Sequence, residues 1–503
     1  MVYIKEQKSQ VEKKIKFFDL LMFGLSSTIG AGIFVLLGLG ASIAGSGLII
    51  SFIITSIISI FIAFNYAEMG SSMPTFGGSY TFVKEALGGI IAFYIGWLIW
   101  LGSIVFAALS AIGFVQYFNY MLPIFFPDLF GAFIVMLFVA YNLKWAKGAM
   151  RFQTIITIAL VLILVLYIGF GFTKINPSNI TPLFEKGISP IFMAAALVFV
   201  CFMGYEPIAT ISEEVKNPKH VAWVLILSII VVSLLYILIT YVTIGSLPLD
   251  VITKSSLPLF ELAKKNRVVL GLLFIGAIIA TLSSLNTALF AASRNLFALS
   301  RDGYMPKIFS RIHEKYNVPH VAMLFSALLI ILFIATRVIE FVAFVSSFGF
   351  ILAFSLVALS LLILREKRKF LTRPFKLPIY TLFSFLGVIL PLILLPFLES
   401  DAIFVGFIWI VFGFFVYCLH TLGIDRFRIA FVGMNVLVSL LSFSLWYSLL
   451  VSFHSVKPLT KVILVNTCMI ISSICMIAAI LFLFKIPKRL KRHQTKSEQT
   501  QKL

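Results

Sequence analysis

Two short stretches of this chain carry residues that permit chemistry an unbroken helix does not. One reads FGLSSTIGAGIFVLLGLG, with Gly30, Ala31 and Gly32 inside an apolar run. The other reads ALVFVCFMGYEPIATISEE, where Gly204 and Pro207 bracket an acid, Glu206. Glycine weakens a helix interior and permits non-helical angles. Proline removes a backbone donor and clashes with the turn before it. Both runs therefore read as helices that break midway. A half-helix starting after a break presents free N–H groups and a positive dipole end, which suits a carboxylate. A half-helix ending at a break presents free carbonyls, which suit an ammonium. Two such breaks facing each other match the charged ends of a zwitterion. Taken singly, each stretch also reads as a packing seam or a kink. It is their pairing that points to a site.

The surroundings of these breaks are set by composition. Of 503 residues, 61% are hydrophobic and 12% charged, and the mean hydropathy is +1.08. Soluble chains carry about 25% charged residues, so the solvent for most of this chain is lipid. A soluble enzyme, a secreted domain and a disordered chain are excluded. The net charge of +20 sits in short loops and in the tail KIPKRLKRHQTK, which argues for membrane topology rather than nucleic acid. Cys201, Cys418, Cys468 and Cys475 lie in apolar runs without metal-ligand spacing, and the six histidines are scattered. No metal and no cofactor is expected. The lysine-rich start MVYIKEQKSQVEKKIKFF does not read as a cleavable signal peptide.

Fourteen apolar runs are long enough to cross a bilayer. They lie at about 18–43, 47–68, 88–121, 126–143, 152–172, 189–212, 221–246, 268–299, 319–336, 341–364, 378–398, 402–420, 428–453 and 462–484. They do not alternate as barrel strands would. The expected fold is an all-α polytopic membrane protein. With the N-terminus in the cytosol, 31 of the 40 lysines and arginines fall on the cytosolic side and 9 on the other. This split favours both termini inside. The broken spans, 1 and 6, are five apart, an odd number, as inverted repeats of spans 1–5 and 6–10 require. Interrupted helices at matching positions of two inverted halves mark the substrate site of secondary transporters. The expected division is a cytosolic segment 1–16, a first repeat 17–172, an inverted second repeat 189–364, four additional spans 378–484 and a basic cytosolic tail 485–503.

Four stretches, in order, resemble the amino acid–polyamine–organocation family of permeases, which have the leucine-transporter fold. They are FDLLMFGLSSTIGAGIFV, PTFGGSYTFVKEALGG leading into Gly96-Trp97, CFMGYEPIATISEEVKNPKH and AASRNLFALSRDGYMPKIFSRIHEKYNVPH. The extra C-terminal spans resemble the cationic amino acid transporter branch. The resemblance implies an amino acid transporter of the cell membrane that works by alternating access. It places the substrate carboxylate at Ala31 and Gly32, with Gly30 and Ile33 shaping the turn. It places the α-amino group at carbonyls of Thr28, Val200 and Met203. Some relatives carry a serine at the position of Ala31, so here the N–H groups must do more of the recognition. Phe199, Phe202, Gly204 and Tyr205 complete the span 6 segment as pocket, gate or packing residues. Spans 3, 6, 8 and 10 are expected to supply side-chain specificity. A cationic substrate needs an acidic partner, and no deep acid other than Glu206 is evident. Neutral or broad-range amino acids are therefore favoured over cationic amino acids, polyamines and other organic cations.

An acid within a membrane helix marks function by default. Glu206 reads either as a proton carrier in the cycle or as a hydrogen-bonded brace of the break. Several proton-linked relatives have a lysine in span 5. At the matching position, about Ala159 or Leu160, this chain has none. Ser283 and Ser284 of span 8 are hydroxyls suited to a hard cation, or to helix–helix hydrogen bonding. Proton symport, exchange and sodium coupling stay open, in that order. Glu213, Glu214, Arg294 and Arg301 are candidate ion pairs of an inner gate, or plain solvated charge. A membrane enzyme would need a nucleophile, base or metal constellation, and a sensor an output domain; neither is evident. The expected partners are the amino acid and the bilayer, and the oligomeric state is open.

Overall fold

Lipid offers no hydrogen-bond partner to free backbone, so spanning segments of this composition must be helical. The computed structural model describes residues 15–73, 78–145, 150–316, 318–421 and 439. Spans 13 and 14, the tail 485–503, most of the segment 1–16, and Cys468 and Cys475 lie outside them. Ten helical stretches among the described residues are long and apolar enough to cross a membrane. The first, Phe17–Ser72, contains spans 1 and 2, and His320–Ile334 is a further, shorter apolar helix. Spans 1–12 of the sequence reading are thereby all helical.

Span 1 divides into Phe17–Thr28 and Ala31–Ala44, and span 2 is Leu48–Ser72. A short, largely buried helix, Gly78–Leu87, leads into span 3, Gly89–Met121. Spans 4 and 5 are Pro127–Trp145 and Met150–Phe172. Span 6 starts as Ile188–Val198, tightens to a 3-10 turn at Phe199–Phe202 and resumes at Pro207–Thr210. Span 7 is Pro218–Ser246 and span 8 is Arg267–Arg301. Between them lie two short helices, Leu249–Lys254 and Pro258–Ala263. Spans 9, 10 and 11 are His320–Ile334, Ile339–Lys367 and Tyr380–Ile393. The chain divides into two compact units after Ile403; the described helix of the second is the greater part of span 12, Ser400–Thr421.

Packing within the first unit has a regularity. Span 2 packs on 7, span 3 on 8 and span 4 on 9. Several further pairs have a counterpart related by adding five to each span number, counted cyclically. Spans 3 and 10 match 8 and 5, spans 1 and 7 match 6 and 2, and spans 1 and 5 match 6 and 10. Span 3 is buried along almost its whole length. Span 9 instead shows Leu324, Leu328 and Leu332 outward at helical spacing, and span 4 shows Leu129, Phe133, Met136 and Leu137. These are lipid-facing stripes. Small residues allow close approach where two buried helices cross. A Cβ on Gly349 of span 10 would stand 2.8 Å from the Leu98 carbonyl of span 3.

One face of the bundle, called here the N-face because Ile15 lies on it, holds a buried ion cluster. Glu68, at the end of span 2, has a side chain only 1% exposed. Its Oε2 accepts from Arg365 Nη2 of span 10 at 2.6 Å and from the Leu377 N–H at 2.8 Å. Its Oε1 lies 3.1 Å from Arg373 Nε. Arg365 also sits 4.5 Å over the Tyr380 ring. Glu68 is thus a second buried acid in addition to Glu206, placed at the end of a span rather than within one, and Arg365 and Arg373 of the basic segment after span 10 act as an internal clamp on it. Removing one member of a buried charge cluster leaves the others uncompensated, at a cost of roughly 3–5 kcal/mol. Glu68→Ala is therefore expected to lower the thermal midpoint of the purified protein clearly. Glu85→Ala, which removes the partner of the half-exposed Arg368, is expected to leave the midpoint nearly unchanged.

Candidate functional site

The break in span 1 falls where the sequence places it. Thr28 ends the first half, Ile29 leaves helical geometry, and Gly30, extended, caps the start of the second half. No side chain of its own caps that start. The Ala31 N–H donates to Ser284 Oγ of span 8 at 3.2 Å. The N–H groups of Gly32 and Ile33 follow in the same first turn, where a helix has no internal acceptor. The Thr28 carbonyl accepts from the Tyr236 hydroxyl of span 7 at 3.0 Å.

Span 6 breaks over Met203–Glu206. Met203 is extended, and Gly204 has φ +109°, a conformation in which a side chain is strained. The Gly204 N–H donates to Glu206 Oε2 at 2.9 Å, so the acid braces the break. Pro207 then takes the first helical position, where its missing N–H costs nothing. The two breaks touch. A Cβ on Gly204 would stand 2.0 Å from the Ser27 carbonyl oxygen, and one on Gly32 would stand 2.8 Å from Cys201 Cα. Thr28, Gly30, Ala31, Gly32, Ile33, Val200, Phe202, Met203 and Gly204 are all buried, and the structure gathers them into one locus.

Beside the contact of Ser27 with Gly204 lies a cavity with walls from spans 1, 3, 6, 8 and 10. Phe106, Phe350, Ala288 and Ala291 make it mainly apolar, and Ser103, Thr287 and Glu206 add polar groups. It has room for about one water. Phe202 turns away to pack on Phe52 and Tyr236, while Tyr205 meets Tyr66 edge to face and lies tilted against Phe354. Phe199 is fully buried.

Ser283 and Ser284 separate in role. Ser284 serves the Ala31 N–H, as above. Ser283 Oγ accepts from Gln153 Nε2 of span 5 at 2.9 Å. The same amide nitrogen reaches Ser26 Oγ. The span 5 side chain at this locus is thus Gln153, a residue sequence reasoning passed over because it looked for a lysine two turns later. Tyr236 was missed as well, since a tyrosine in an apolar run looks like any other packed ring.

Both ways out are closed. On the face opposite Ile15, the carbonyl of Ser255 and the ring of Pro258 lie against Gly38 of span 1. Phe260 packs there on Tyr117 and Tyr120. On the N-face, the Tyr80 hydroxyl donates to Asp302 Oδ2 at 2.6 Å, and Lys84 reaches the same oxygen. Arg301 Nε lies 3.3 Å from Asp302 Oδ1. No ion pair joins Glu214 to Arg294 or Arg301 among the described residues. The ion contacts that form the latch on this face centre on Asp302, with Arg301 of the expected gate among them. The Glu214 carbonyl instead accepts the Ile15 N–H at 3.1 Å, and Lys216 N–H donates back to Ile15 at 3.2 Å. That bridge yokes the N-terminal end of span 1 to the C-terminal end of span 6. Burial works against the charge on Asp302, but hydrogen bonds from Lys84 and Tyr80, with Arg301 beside them, hold its carboxyl below the usual aspartate range.

Two outcomes follow. Gly204→Ala costs roughly 1–3 kcal/mol in backbone strain alone and collides with Ser27, so it is expected to abolish ligand binding or folding. Gly271→Ala, on span 8 with open space around it, is expected to leave both unchanged. A depressed carboxyl contributes fully above its ordinary range and is lost only as pH falls through its lowered value. Labelling of a cysteine introduced by Asn295→Cys, taken relative to a free thiol at the same pH because the thiolate is the reactive form, is therefore expected to stay constant from about pH 7 to pH 5, both above the ordinary Asp value near 4. Asp302→Asn is expected to raise that labelling at either pH; a pH-dependent rise in the parent variant would contradict the latch.

Comparison with known proteins agrees with this geometry. The family described as "Amino acid permease" matches residues 15–419. A branched-chain amino acid permease, BcaP, of Bacillus subtilis (strain 168) is 30% identical over 438 residues, covering 82% of this chain and 94% of that protein. A methylthioribose transporter of the same organism is 28% identical over 443 residues, covering 83% and 95%. Cationic amino acid transporter 4 of Mus musculus is 27% identical over 389 residues, covering 72% and 61%. The match begins before the first break and runs into span 12, and the chain belongs to the amino acid permease family.

Proposed function

We propose that this permease moves neutral amino acids, branched-chain ones among them, by alternating access around the paired breaks of spans 1 and 6. The carrying observation is the contact between those breaks, Gly204 on Ser27 and Gly32 on Cys201. It brings the N–H groups of Gly32 and Ile33 beside the carbonyl-rich turn at Val200–Met203. The carboxylate takes the first set and the ammonium the second. The cavity walls support a neutral side chain. Phe106, Phe350, Ala288 and Ala291 are apolar, and the one carboxylate lining the cavity, Glu206, is tied to the Gly204 N–H. A branched-chain permease among the relatives supports the same reading. With its space reduced to about one water, the site is a contracted, doubly closed state of the cycle.

In this reading residues 17–172 and 189–364 are the two inverted repeats and 378–484 is an addition to them. The lysine and arginine bias puts the N-face in the cytosol, with both termini, and the protein in the cell membrane. Proton coupling runs through Glu206, which borders both the break and the cavity. Sodium is disfavoured, because Gln153 and Ala31 already engage Ser283 and Ser284.

Counterflow in proteoliposomes tests this. Labelled L-leucine, L-isoleucine or L-valine is expected to exchange, while L-lysine, putrescine and methylthioribose are not. Exchange of only a cation or of methylthioribose would overturn the substrate reading. Glu206→Gln is expected to remove stimulation by an inward proton gradient while leucine binding persists. Unchanged stimulation would remove the proton role and leave Glu206 as a brace.

A further inference from the structure

A second cavity adjoins the central one and shares Glu206, Pro207 and Ala291 with it. It is the roomier of the two, and it continues toward the N-face along span 8 to Arg294 and Asn295. Arg294 is placed unusually. Its guanidinium carbon lies 4.1 Å over the ring of Phe290, one turn earlier on the same helix. Its Nη1 is buried and has no hydrogen-bond partner among the described residues. Glu214 is the carboxylate whose charge reaches it, yet no salt bridge joins them among the described residues. The Phe290 face offsets part of the cost of holding a cation there. It does not satisfy a planar donor fork, which is shaped to take a carboxylate through two parallel hydrogen bonds.

We infer that Arg294 and Glu206 form a second, transient amino acid site between the central breaks and the N-face, with Arg294 receiving the substrate carboxylate and Glu206, through the oxygen that does not hold the Gly204 N–H, its ammonium. This rests on the amino acid reading above. A zwitterion leaving the breaks must exchange the N–H groups of span 1 for another anion partner before it reaches water. Along this cavity the free donor fork is that of Arg294. The carboxylate travels ahead, toward the N-face, and the ammonium trails past Glu206. The cavity widens when Lys84 and Tyr80 release Asp302, which follows Arg294 two turns later on the same helix.

The test uses the full-length protein in proteoliposomes, with one orientation selected through an N-terminal tag, and labelled L-leucine. Arg294→Gln is expected to raise the apparent KM from the N-face roughly tenfold or more and from the opposite face by less than about threefold. Arg294→Lys, which keeps the charge but not the fork, is expected to fall between. In the unsubstituted protein, 4-methylvalerate, a carboxylate without an amine, is expected to inhibit more strongly from the N-face than from the other. Equal shifts from both faces, no shift, or equal inhibition from both faces would overturn the second site. If neither variant folds, the 4-methylvalerate comparison decides alone. Failure of the unsubstituted protein to exchange any amino acid would instead remove the amino acid reading itself.

Discussion

Unwound backbone inside a bilayer is tolerated only where other protein groups take over its hydrogen bonds, and the architecture follows from meeting that condition at two places at once. Ser284 receives the Ala31 N–H, Tyr236 holds the Thr28 carbonyl, and Glu206 receives the Gly204 N–H. Spans 7 and 8 are therefore as much a part of the site as spans 1 and 6. What these partners leave over at the two breaks is a short list of donors and acceptors of opposite polarity. A ligand that completes the list needs one anionic and one cationic end on a short frame.

The two closures differ in chemistry. On the face opposite Ile15 the seal is carbonyl, ring and glycine, with Phe260 wedged against Tyr117 and Tyr120. On the N-face it is a carboxylate held by a phenol and two cations, one of which, Lys84, is 41% exposed. Water can replace the partners of an exposed ion pair at little cost, whereas apolar contacts must be separated against the hydrophobic effect. The Glu68 cluster also lies on the N-face, but it is buried. It fixes span 2, span 10 and the chain after span 10 to one another, while the neighbouring latch is free to exchange.

Much of this was legible in the sequence for a simple reason. Glycine and proline inside an apolar run mark a break without reference to the rest of the chain, so Gly30–Gly32 and Gly204–Pro207 stand out locally. Apolar runs of about twenty residues likewise announced spans 1–12. The partners of the breaks were not legible, because nothing local distinguishes them. Ser284 meets Ala31 across 253 residues of chain, and Arg365 meets Glu68 across 297. Glu68 sits at the end of an apolar run, where an acid looks like ordinary boundary charge. Gln153 was overlooked because a positive charge was sought, whereas an amide donates to the same hydroxyls. The gate expected between Glu213, Glu214, Arg294 and Arg301 left out Asp302, the acid beside Arg301, for the same reason: charge in sequence shows that a pair is needed but not which residue supplies it.

Span 8 is one unbroken helix of 35 residues, and it carries Ser284 at the centre, Arg294 below it and, just past its end, Asp302. From Ser284 to Asp302 is 18 residues, or about 27 Å of rigid rod at 1.5 Å per residue. Such a rod acts as a lever. Tilted by some 10° about the serine, its far end swings by about 5 Å, enough to part a hydrogen bond while the fulcrum barely shifts. A small rearrangement around a seated ligand would thus be magnified mechanically at the membrane surface, with no chain of side-chain signals in between.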